Sequence, residues 1–200
     1  MSNQKIAELQ LEIYNLTVKL NDLLKNAERR EVADYSFATL EGEVTLLELF
    51  GDRQHLLVIH NMGQACRYCT LWGDGINGVL AHLEDAMSVV LVSKDPPKDQ
   101  RNFASSRNWR FRLASHGGGK YISEQTVMEG QANMPGAVLY ERLEKQVFRR
   151  HGAIFGPGDL YCPAWHLLAL AGRGADDWTP QFRYWLPPKQ MEDGGADMLE

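Results

Sequence analysis

The chain has 200 residues, of which 44% are apolar and 10% aromatic, so it can form a folded domain and is not a mostly disordered chain. Its net charge of -5 gives no basic surface for nucleic acid, and we expect no nucleic-acid partner. No apolar stretch approaches the ~20 residues that cross a bilayer, and no signal-peptide pattern follows Met1, so we expect a cytoplasmic protein without membrane contact.

Residues 1–32 predict one long amphipathic helix that precedes the main domain. The first thirty residues contain no glycine or proline, and we expect the helix to reach Arg30, with Arg29 and Arg30 as cations in its last turn. Such a helix is marginal alone and must bury its apolar stripe, either against its own domain or against a partner helix in a coiled-coil homodimer. The stripe follows a heptad pattern and consists of Ile6, Leu9, Ile13, Leu16, Leu20 and Leu23.

Residues 33–186 predict a single α/β domain, and residues 187–200 predict a disordered tail. Buried strands are short apolar runs, and polar segments with helical spacing alternate with them. The expected order is a hairpin (34–37 and 44–46), a strand (55–60), a helix (66–83), a strand (87–93), a helix (98–107), a strand (110–115), a glycine-rich loop (117–133), a hairpin (137–140 and 146–148) and a closing helix (163–171).

The strongest chemical signal is the motif Cys66-Arg67-Tyr68-Cys69, directly after a predicted buried strand and at the start of a predicted helix. The free N–H groups at a helix N-terminus stabilise a thiolate, and Arg67 adds a positive charge. We therefore expect Cys66 to be the exposed nucleophile. Cys69, one turn later, would resolve the mixed disulfide.

A second signal is the dipeptide Met134-Pro135 immediately before the predicted strand at Ala137. In thioredoxin-like folds a cis-proline occupies this place and faces the cysteine pair. The order of elements in this chain is the thioredoxin order, and a C-x-x-C motif near a βαβ pattern indicates a redox site. Met134 and Pro135, with Arg67 and Tyr68, are therefore the expected substrate-binding residues.

Several short motifs resemble a thioredoxin-like family known as domain-of-unknown-function family 899. Together they span roughly three quarters of the chain. They are D-Y-S-F (34–37), L-L-E-L-F-G (46–51), H-N-M (60–62), C-R-Y-C-T-L-W-G-D-G-I-N-G (66–78), A-H-L (81–83), V-S-K-D-P (92–96), N-W-R-F (108–111), P-G-A-V-L-Y-E-R (135–142) and D-D-W-T-P (176–180).

The resemblance implies a thioredoxin-like fold, a central mixed sheet flanked by helices, and a role in thiol–disulfide chemistry. Two departures matter. Arg67-Tyr68 replaces the Gly-Pro pair of thioredoxin or the Pro-Gly pair common in this family, and these positions help to set the redox potential. Gly63 replaces the threonine that peroxiredoxins have three residues before their cysteine, which argues against peroxiredoxin chemistry.

Three further residues are candidate auxiliary residues, of which Asp74 and His82 lie within these motifs and Cys162 lies outside them. Asp74 would transfer protons near Cys69 or contact substrate, or would serve only as a helix-surface residue. His82 has the same two interpretations. Cys162 at a predicted helix start is a third redox thiol or a small buried residue.

The sequence thus predicts a thiol–disulfide oxidoreductase that acts on protein or small-molecule disulfides and needs no cofactor or metal. One alternative is a non-catalytic binding or assembly module, dimeric through the N-terminal helix. Another is a structural zinc site, because three thiolates and one imidazole suit tetrahedral Zn²⁺. Its ligands would be Cys66, Cys69, Cys162 and His166.

Overall fold

The computed structural model describes residues 3–184, and the tail predicted at 187–200 lies outside them. The first element is the predicted helix, α1, at Asn3–Lys25. It ends five residues earlier than expected, because Arg29 turns to an ion pair and Arg30 begins a strand. None of the residues of α1 is buried. Among the described residues, no helix has the length and apolar content needed to cross a membrane.

The domain is built on one mixed sheet of eight strands in the order β1-β8-β7-β4-β5-β6-β2-β3. The central strands β4, β5 and β6 are parallel, and the other neighbours are antiparallel. The strands are β1 (Arg30–Val32), β2 (Ser36–Thr39), β3 (Gly42–Thr45), β4 (His55–His60), β5 (Ser88–Ser93), β6 (Arg112–Ser115), β7 (Gly136–Leu143) and β8 (Gln146–Ile154).

Helices cover the two faces of this sheet. They are α2 (Arg67–Ala86), α3 (Pro97–Ser106), α4 (Lys120–Glu124) and α5 (Pro163–Leu170), with a 3-10 turn at Glu48–Phe50. Every predicted strand and helix of the domain is present within a few residues of its expected position. The thioredoxin-like α/β fold is therefore confirmed. The additions are β1 and α4, which lies in the segment expected to be a loop.

Each face of the sheet carries its own apolar core because successive strand residues point to opposite sides. In β4, Leu56 and Val58 join a core with Phe37 of β2 and Val147 of β8. Leu57 and Ile59 face the other core, beneath α2, α3 and α5. At the close approach of α2 to the β6 region, a Cβ on Gly73 would lie 2.4 Å from the Trp109 ring, so glycine is required there.

The end of α1 is fixed by an ion cluster that we call the Glu141 clamp, formed by Arg29, Glu141 and Arg150. Arg29 Nε donates to Glu141 at 2.9 Å and Arg150 Nη1 donates to it at 2.6 Å. Arg150 Nη2 also donates to the carbonyl of Lys25 at 3.0 Å, which satisfies a free acceptor in the last turn of α1. The clamp therefore joins the helix to the β7–β8 hairpin.

Candidate functional site

Cys66 and Cys69 form a disulfide at the junction of β4 and α2, with their Cα atoms 5.3 Å apart. The junction has this form because β4 ends at His60 and the following loop turns directly into the helix. Cys66 is the residue before the first turn of α2, and its Sγ accepts a hydrogen bond from the Cys69 N–H at 3.1 Å. A sulfur here receives the partial positive charge of the helix N-terminus.

The two sulfurs differ in accessibility. Cys66 is partly exposed, whereas only 3% of Cys69 is exposed, beneath the first turn of α2. An incoming sulfur therefore has access to Cys66 and not to Cys69. A disulfide-exchange reaction needs one accessible sulfur to attack and a second sulfur close by to resolve, and this pair has one accessible and one buried sulfur.

The loop before Cys66 is held by residues for which the sequence suggested no role. Asp95, just after β5, accepts a hydrogen bond from the Gln64 N–H at 2.7 Å. Asn61 Oδ1 accepts from the Gly63 N–H at 2.8 Å. Gly63 has φ 126 and lies so close to Asp95 that a Cβ would be 2.9 Å from its Oδ1. The signal for Asp95 was its position after a parallel strand, because the carboxyl ends of β4 and β5 meet at one sheet edge.

The segment with Met134 and Pro135, the predicted substrate-binding residues, lies beside this loop. The strand pairing of His60 with Gly136 places Pro135 opposite the end of β4, and Asn133 Nδ2 donates to the Met62 carbonyl at 3.4 Å. The expectation of a cis-proline is wrong, because residues 3–184 contain no cis peptide bond. The chain instead turns into β7 at Asn133, whose φ is 58.

The residues between the cysteines face an aromatic cluster. The Tyr68 ring is stacked on Trp165 of α5 with centroids 6.3 Å apart, and the Arg67 guanidinium lies 5.9 Å from the centre of the Tyr68 ring. Trp72, one turn along α2, donates from Nε1 to Asp159 at 2.8 Å. Tyr68 and Trp165 therefore form an aromatic wall next to the disulfide, and the sequence did not predict that α5 supplies part of it.

Two buried histidines lie at the carboxyl ends of the parallel strands: His60 is the last residue of β4, and His116 directly follows β6. Burial, and then the nearby His116, lowers the pKa of His60 to about 3. Burial, and then Lys94, lowers the pKa of His116 to about 4. His60 Nε2 shares a hydrogen bond of 2.8 Å with the Tyr121 hydroxyl. Both imidazoles are therefore neutral at pH 7, and neither supplies positive charge to the site.

The candidate auxiliary residues of α2 lie away from the cysteines. Asp74 accepts hydrogen bonds from Arg107 Nε at 2.9 Å and from Trp109 Nε1 at 2.8 Å, contacts that join α2 to the segment between α3 and β6. His82 is exposed and lies 16 residues beyond Cys66, about 24 Å along the helix axis at ~1.5 Å per residue. These contacts favour a structural role for Asp74, and His82 lies on the exposed surface of α2.

The third cysteine does not join the pair. Cys162 is a buried free thiol, and burial raises its pKa, contrary to the lowering considered for a helix start. His166, the fourth ligand of the zinc alternative, shares a 2.9 Å hydrogen bond with the Asp159 carbonyl. Within residues 3–184, His, Cys, Asp and Glu side chains form no group of three or more suited to a metal ion, so the zinc alternative has no support there.

Comparison with known proteins agrees with this architecture. Residues 24–190 match the model of a family described as bacterial protein of unknown function, DUF899. The chain belongs to this family. No curated protein matches it. The resemblance of its motifs to the family is thus confirmed.

Three solved structures share the thioredoxin-like fold with this DUF899 protein. Peroxidoxin BcpB from Mycobacterium tuberculosis has 17% identity and a TM-score of 0.53, and the match covers 74% of this chain and 98% of the peroxidoxin. The bacterioferritin comigratory protein of Xanthomonas campestris has 19% identity and a TM-score of 0.50, and the match covers 68% of this chain and 88% of that protein. A putative thiol:disulfide interchange protein DsbE from Chlorobium tepidum has 21% identity and a TM-score of 0.50, and the match covers 72% of this chain and 96% of that protein. At these identities the likeness establishes the fold alone.

Proposed function

We propose that this protein is a thiol–disulfide oxidoreductase that exchanges electrons with protein or small-molecule thiols and disulfides. The observation that carries the proposal is the Cys66–Cys69 disulfide at the N-terminus of α2, with one accessible and one buried sulfur. The fold that holds this disulfide is shared with a putative thiol:disulfide interchange protein, which supports the same conclusion. We also propose a cytoplasmic location. Disulfides of cytoplasmic proteins are more often catalytic than structural, which agrees with a redox role for this pair.

In the reducing direction, the reaction starts from the dithiol form. The Cys66 thiolate attacks one sulfur of the substrate disulfide, and a mixed disulfide forms while one substrate thiolate leaves and takes up a proton. The Cys69 thiol then loses its proton and attacks Cys66 Sγ, which releases the second substrate thiol and closes the Cys66–Cys69 disulfide. The substrate gains two electrons and the protein loses two. An external dithiol returns them by the reverse steps.

The surroundings of Cys66 favour its thiolate in the dithiol form. The Cys69 N–H points at its sulfur, the N-terminus of α2 contributes partial positive charge, and Arg67 follows in the chain. The two histidines at this sheet edge are neutral, so the helix and Arg67 provide this stabilisation.

We assign substrate binding to residues around the disulfide, of which Arg67, Tyr68 and Met134 are partly exposed and Pro135 is buried. Arg67 and Tyr68 form one side, against Trp165. Met134 and Pro135 form another side, since the segment they belong to contacts the loop before Cys66 through Asn133. Met134, between Asn133 and Pro135, would present its backbone N–H and carbonyl groups to a substrate chain.

Turbidity from the reduction of insulin disulfides by dithiothreitol tests the proposal, with Cys66→Ser and Cys69→Ser compared with the wild type. We expect Cys66→Ser to abolish the protein-dependent rate and Cys69→Ser to accumulate a mixed disulfide that mass spectrometry detects. Cys162→Ser is the matched control, because that thiol is buried and unbonded, and it should retain the rate. Full activity of Cys66→Ser would contradict the assignment.

We propose as a second candidate function a homodimeric assembly role for α1. The observation that favours it is that none of the described residues of α1 is buried, although its heptad stripe includes Leu9, Leu16 and Leu23. Leu9 is 51% exposed and Leu23 71% exposed, which is costly unless a partner covers them. Sedimentation equilibrium should show a dimer for the wild type and a monomer for Ile13→Glu, and a monomeric wild type would contradict this role.

A further inference from the structure

Asp95 is a charged side chain next to the disulfide loop that the proposed exchange reaction does not use. It lies just after β5, and its Oδ2 accepts a hydrogen bond from the Gln64 N–H at 2.7 Å. The carboxylate also lies against Gly63, where a Cβ would be 2.9 Å from Oδ1, 3.1 Å from Oδ2 and 3.3 Å from Cγ. Asp95 therefore contacts two successive residues of the loop that leads to Cys66.

A tight turn connects these two residues to the accessible cysteine. The Cys66 N–H donates to the Gly63 carbonyl at 3.0 Å, and Cys66 is the residue before the first turn of α2. The Cα atoms at the two ends of such a turn are less than about 7 Å apart. Cys66 Sγ therefore lies within about 14 Å of Asp95 Oδ1, a distance over which one partly buried charge acts on another.

Buried hydrogen bonds fix the backbone of Asp95 itself. Gln100 of α3 is only 5% exposed, and its Nε2 lies 3.3, 3.1 and 3.2 Å from the carbonyl oxygens of Ser93, Asp95 and Ala114. Ser93 Oγ accepts a hydrogen bond from the Asp95 N–H at 3.2 Å. These contacts join the residue after β5 to α3 and β6, so the Asp95 carboxylate approaches the turn from a fixed backbone.

No cation neutralises the charge of Asp95 within residues 3–184. The ion pairs there involve other carboxylates, and no Lys or Arg nitrogen lies within 4.0 Å of Asp95. Asp159, which is hydrogen-bonded to Trp72 of α2, accepts four hydrogen bonds in this part of the chain, whereas the Asp95 side chain accepts one. Asp95 thus brings an unpaired negative charge to the turn before Cys66.

Reduction of the disulfide creates a second negative charge near Asp95. A dithiol reductant supplies two electrons, the bond between the two sulfurs breaks, and the reductant closes to its own disulfide and releases two protons. Cys69 takes up one of these protons and becomes a thiol, whereas Cys66 is left as a thiolate. Asp95 repels this thiolate and not the uncharged disulfide. The N-terminus of α2 and Arg67 act in the opposite direction.

We propose that Asp95 is a positioning residue of the redox site, which holds the turn at 63–66 and through its charge favours the disulfide over the dithiol. This inference rests on the proposed thiol–disulfide function and adds a preferred direction to it. A charge that destabilises the dithiol makes the reduced protein a stronger electron donor. Asp95 therefore favours the reduction of substrate disulfides over their formation.

The test is the equilibrium constant for reduction of the disulfide in mixtures of reduced and oxidised dithiothreitol, measured by counting thiols in the full chain. The pH is set above the pKa of the Cys66 thiol, located by thiolate absorbance, so that Cys66 is ionised when reduced. Asp95→Asn keeps an oxygen for the Gln64 N–H and removes the charge, so we expect the constant to rise about two- to eightfold. Asp52→Asn removes an exposed carboxylate at the opposite end of β4 and should leave it unchanged.

Salt separates the charge of Asp95 from its hydrogen bond. The ratio of the two constants, Asp95→Asn over wild type, should fall towards one between about 0.01 M and about 1 M salt, because ions screen charges. Asp95→Ser, a second neutral variant with an oxygen at this position, should raise the constant in the same way.

The outcomes separate the role of Asp95 from the proposed function. If the pair opens and closes reversibly but Asp95→Asn has the wild-type constant, the role of the charge is refuted and the oxidoreductase assignment stands. A ratio that does not change with salt, or an equal rise in Asp52→Asn, also refutes it. A disulfide that dithiothreitol cannot open, or that does not close again, refutes the proposed function and this inference together.

Discussion

Replacing Glu141 with glutamine removes the charge at the centre of the Glu141 clamp. The Glu141 side chain is 4% exposed and accepts hydrogen bonds from Arg29 and Arg150. The hydrogen bond from Arg29, followed by that from Arg150, lowers the pKa of Glu141 from 4.5 to about 2. At ~1.36 kcal/mol per pKa unit this corresponds to about 3 kcal/mol. Arg29 is half exposed, so solvent screening reduces its share, and we expect Glu141→Gln to lower the free energy of unfolding by about 2–3 kcal/mol.

The pH dependence of this loss follows from the direction of the change in pKa. The folded-state pKa of Glu141 is below its unfolded value, so the stabilisation is complete above about pH 4.5 and is lost as the pH falls towards 2. Urea unfolding followed by tryptophan fluorescence at several pH values between 3.5 and 7 measures it. The difference between wild type and Glu141→Gln should stay constant from pH 7 to about pH 4.5 and shrink as the pH falls further. Glu129→Gln, at an exposed loop carboxylate, is the matched control and should show almost no difference.

A difference below about 0.5 kcal/mol at pH 7 would refute the reasoning, because three charge-assisted hydrogen bonds to a buried carboxylate contribute more than that. A large difference that stays constant with pH would also refute it. That result would mean that glutamine disturbs packing rather than charge.

Three further predictions concern the disulfide loop, α2 and the buried histidines. Gly63→Ala should lower the free energy of unfolding by about 1–3 kcal/mol, because the new Cβ would contact Asp95 and because Gly63 has a φ of 126. Gly75→Ala, in an open part of α2, should raise it by about 0.5–1 kcal/mol. Urea unfolding measures both. Trp72→Phe removes the hydrogen bond to the Asp159 carboxylate and should cost about 1.5–3 kcal/mol in the same assay. His116 has a pKa of about 4 in the folded protein and near 6.5 in the unfolded chain, so its contribution to the free energy of unfolding is complete above pH 6.5 and is lost as the pH falls towards 4. His116→Asn should make this loss of stability with acid shallower, and an unchanged slope would contradict the prediction.

The elements around the disulfide could be predicted because their signals are local. The runs at 55–60 and 88–93 are short, apolar and bounded by polar residues, and Cys66 precedes a segment with helical spacing. The strand β1 carries no such signal: Arg30-Glu31-Val32 is mostly charged, and only its pairing with β8 makes it a strand. The helix α4 is five residues long, within a glycine-rich stretch, and is held by the burial of its apolar residues.

The residue types of the site were visible in the sequence, but their long-range partners were not. Cys66 and Cys69 carry their spacing in the chain itself. Asp95, Trp165 and Asn133 lie 26, 96 and 64 residues after Cys69, and they reach the site through strand order and helix placement that a single sequence does not specify. The end of α1 was misplaced for the same reason, because Arg29 pairs with a carboxylate 112 residues away.

The strand order has a geometric consequence for the whole sheet. The strands β1 and β2 are separated by six strand-to-strand intervals, which is about 29 Å in a flat sheet at ~4.8 Å each. Only residues 33–35 connect them, and four residue steps reach at most about 14 Å. The sheet must therefore curl until its two ends approach each other, like a barrel that is not quite closed. Phe37 near one end and Val147 near the other share one core for this reason, and the concave interior is filled by side chains. Approach from solvent to the cysteines is then by the rim, where the parallel strands end.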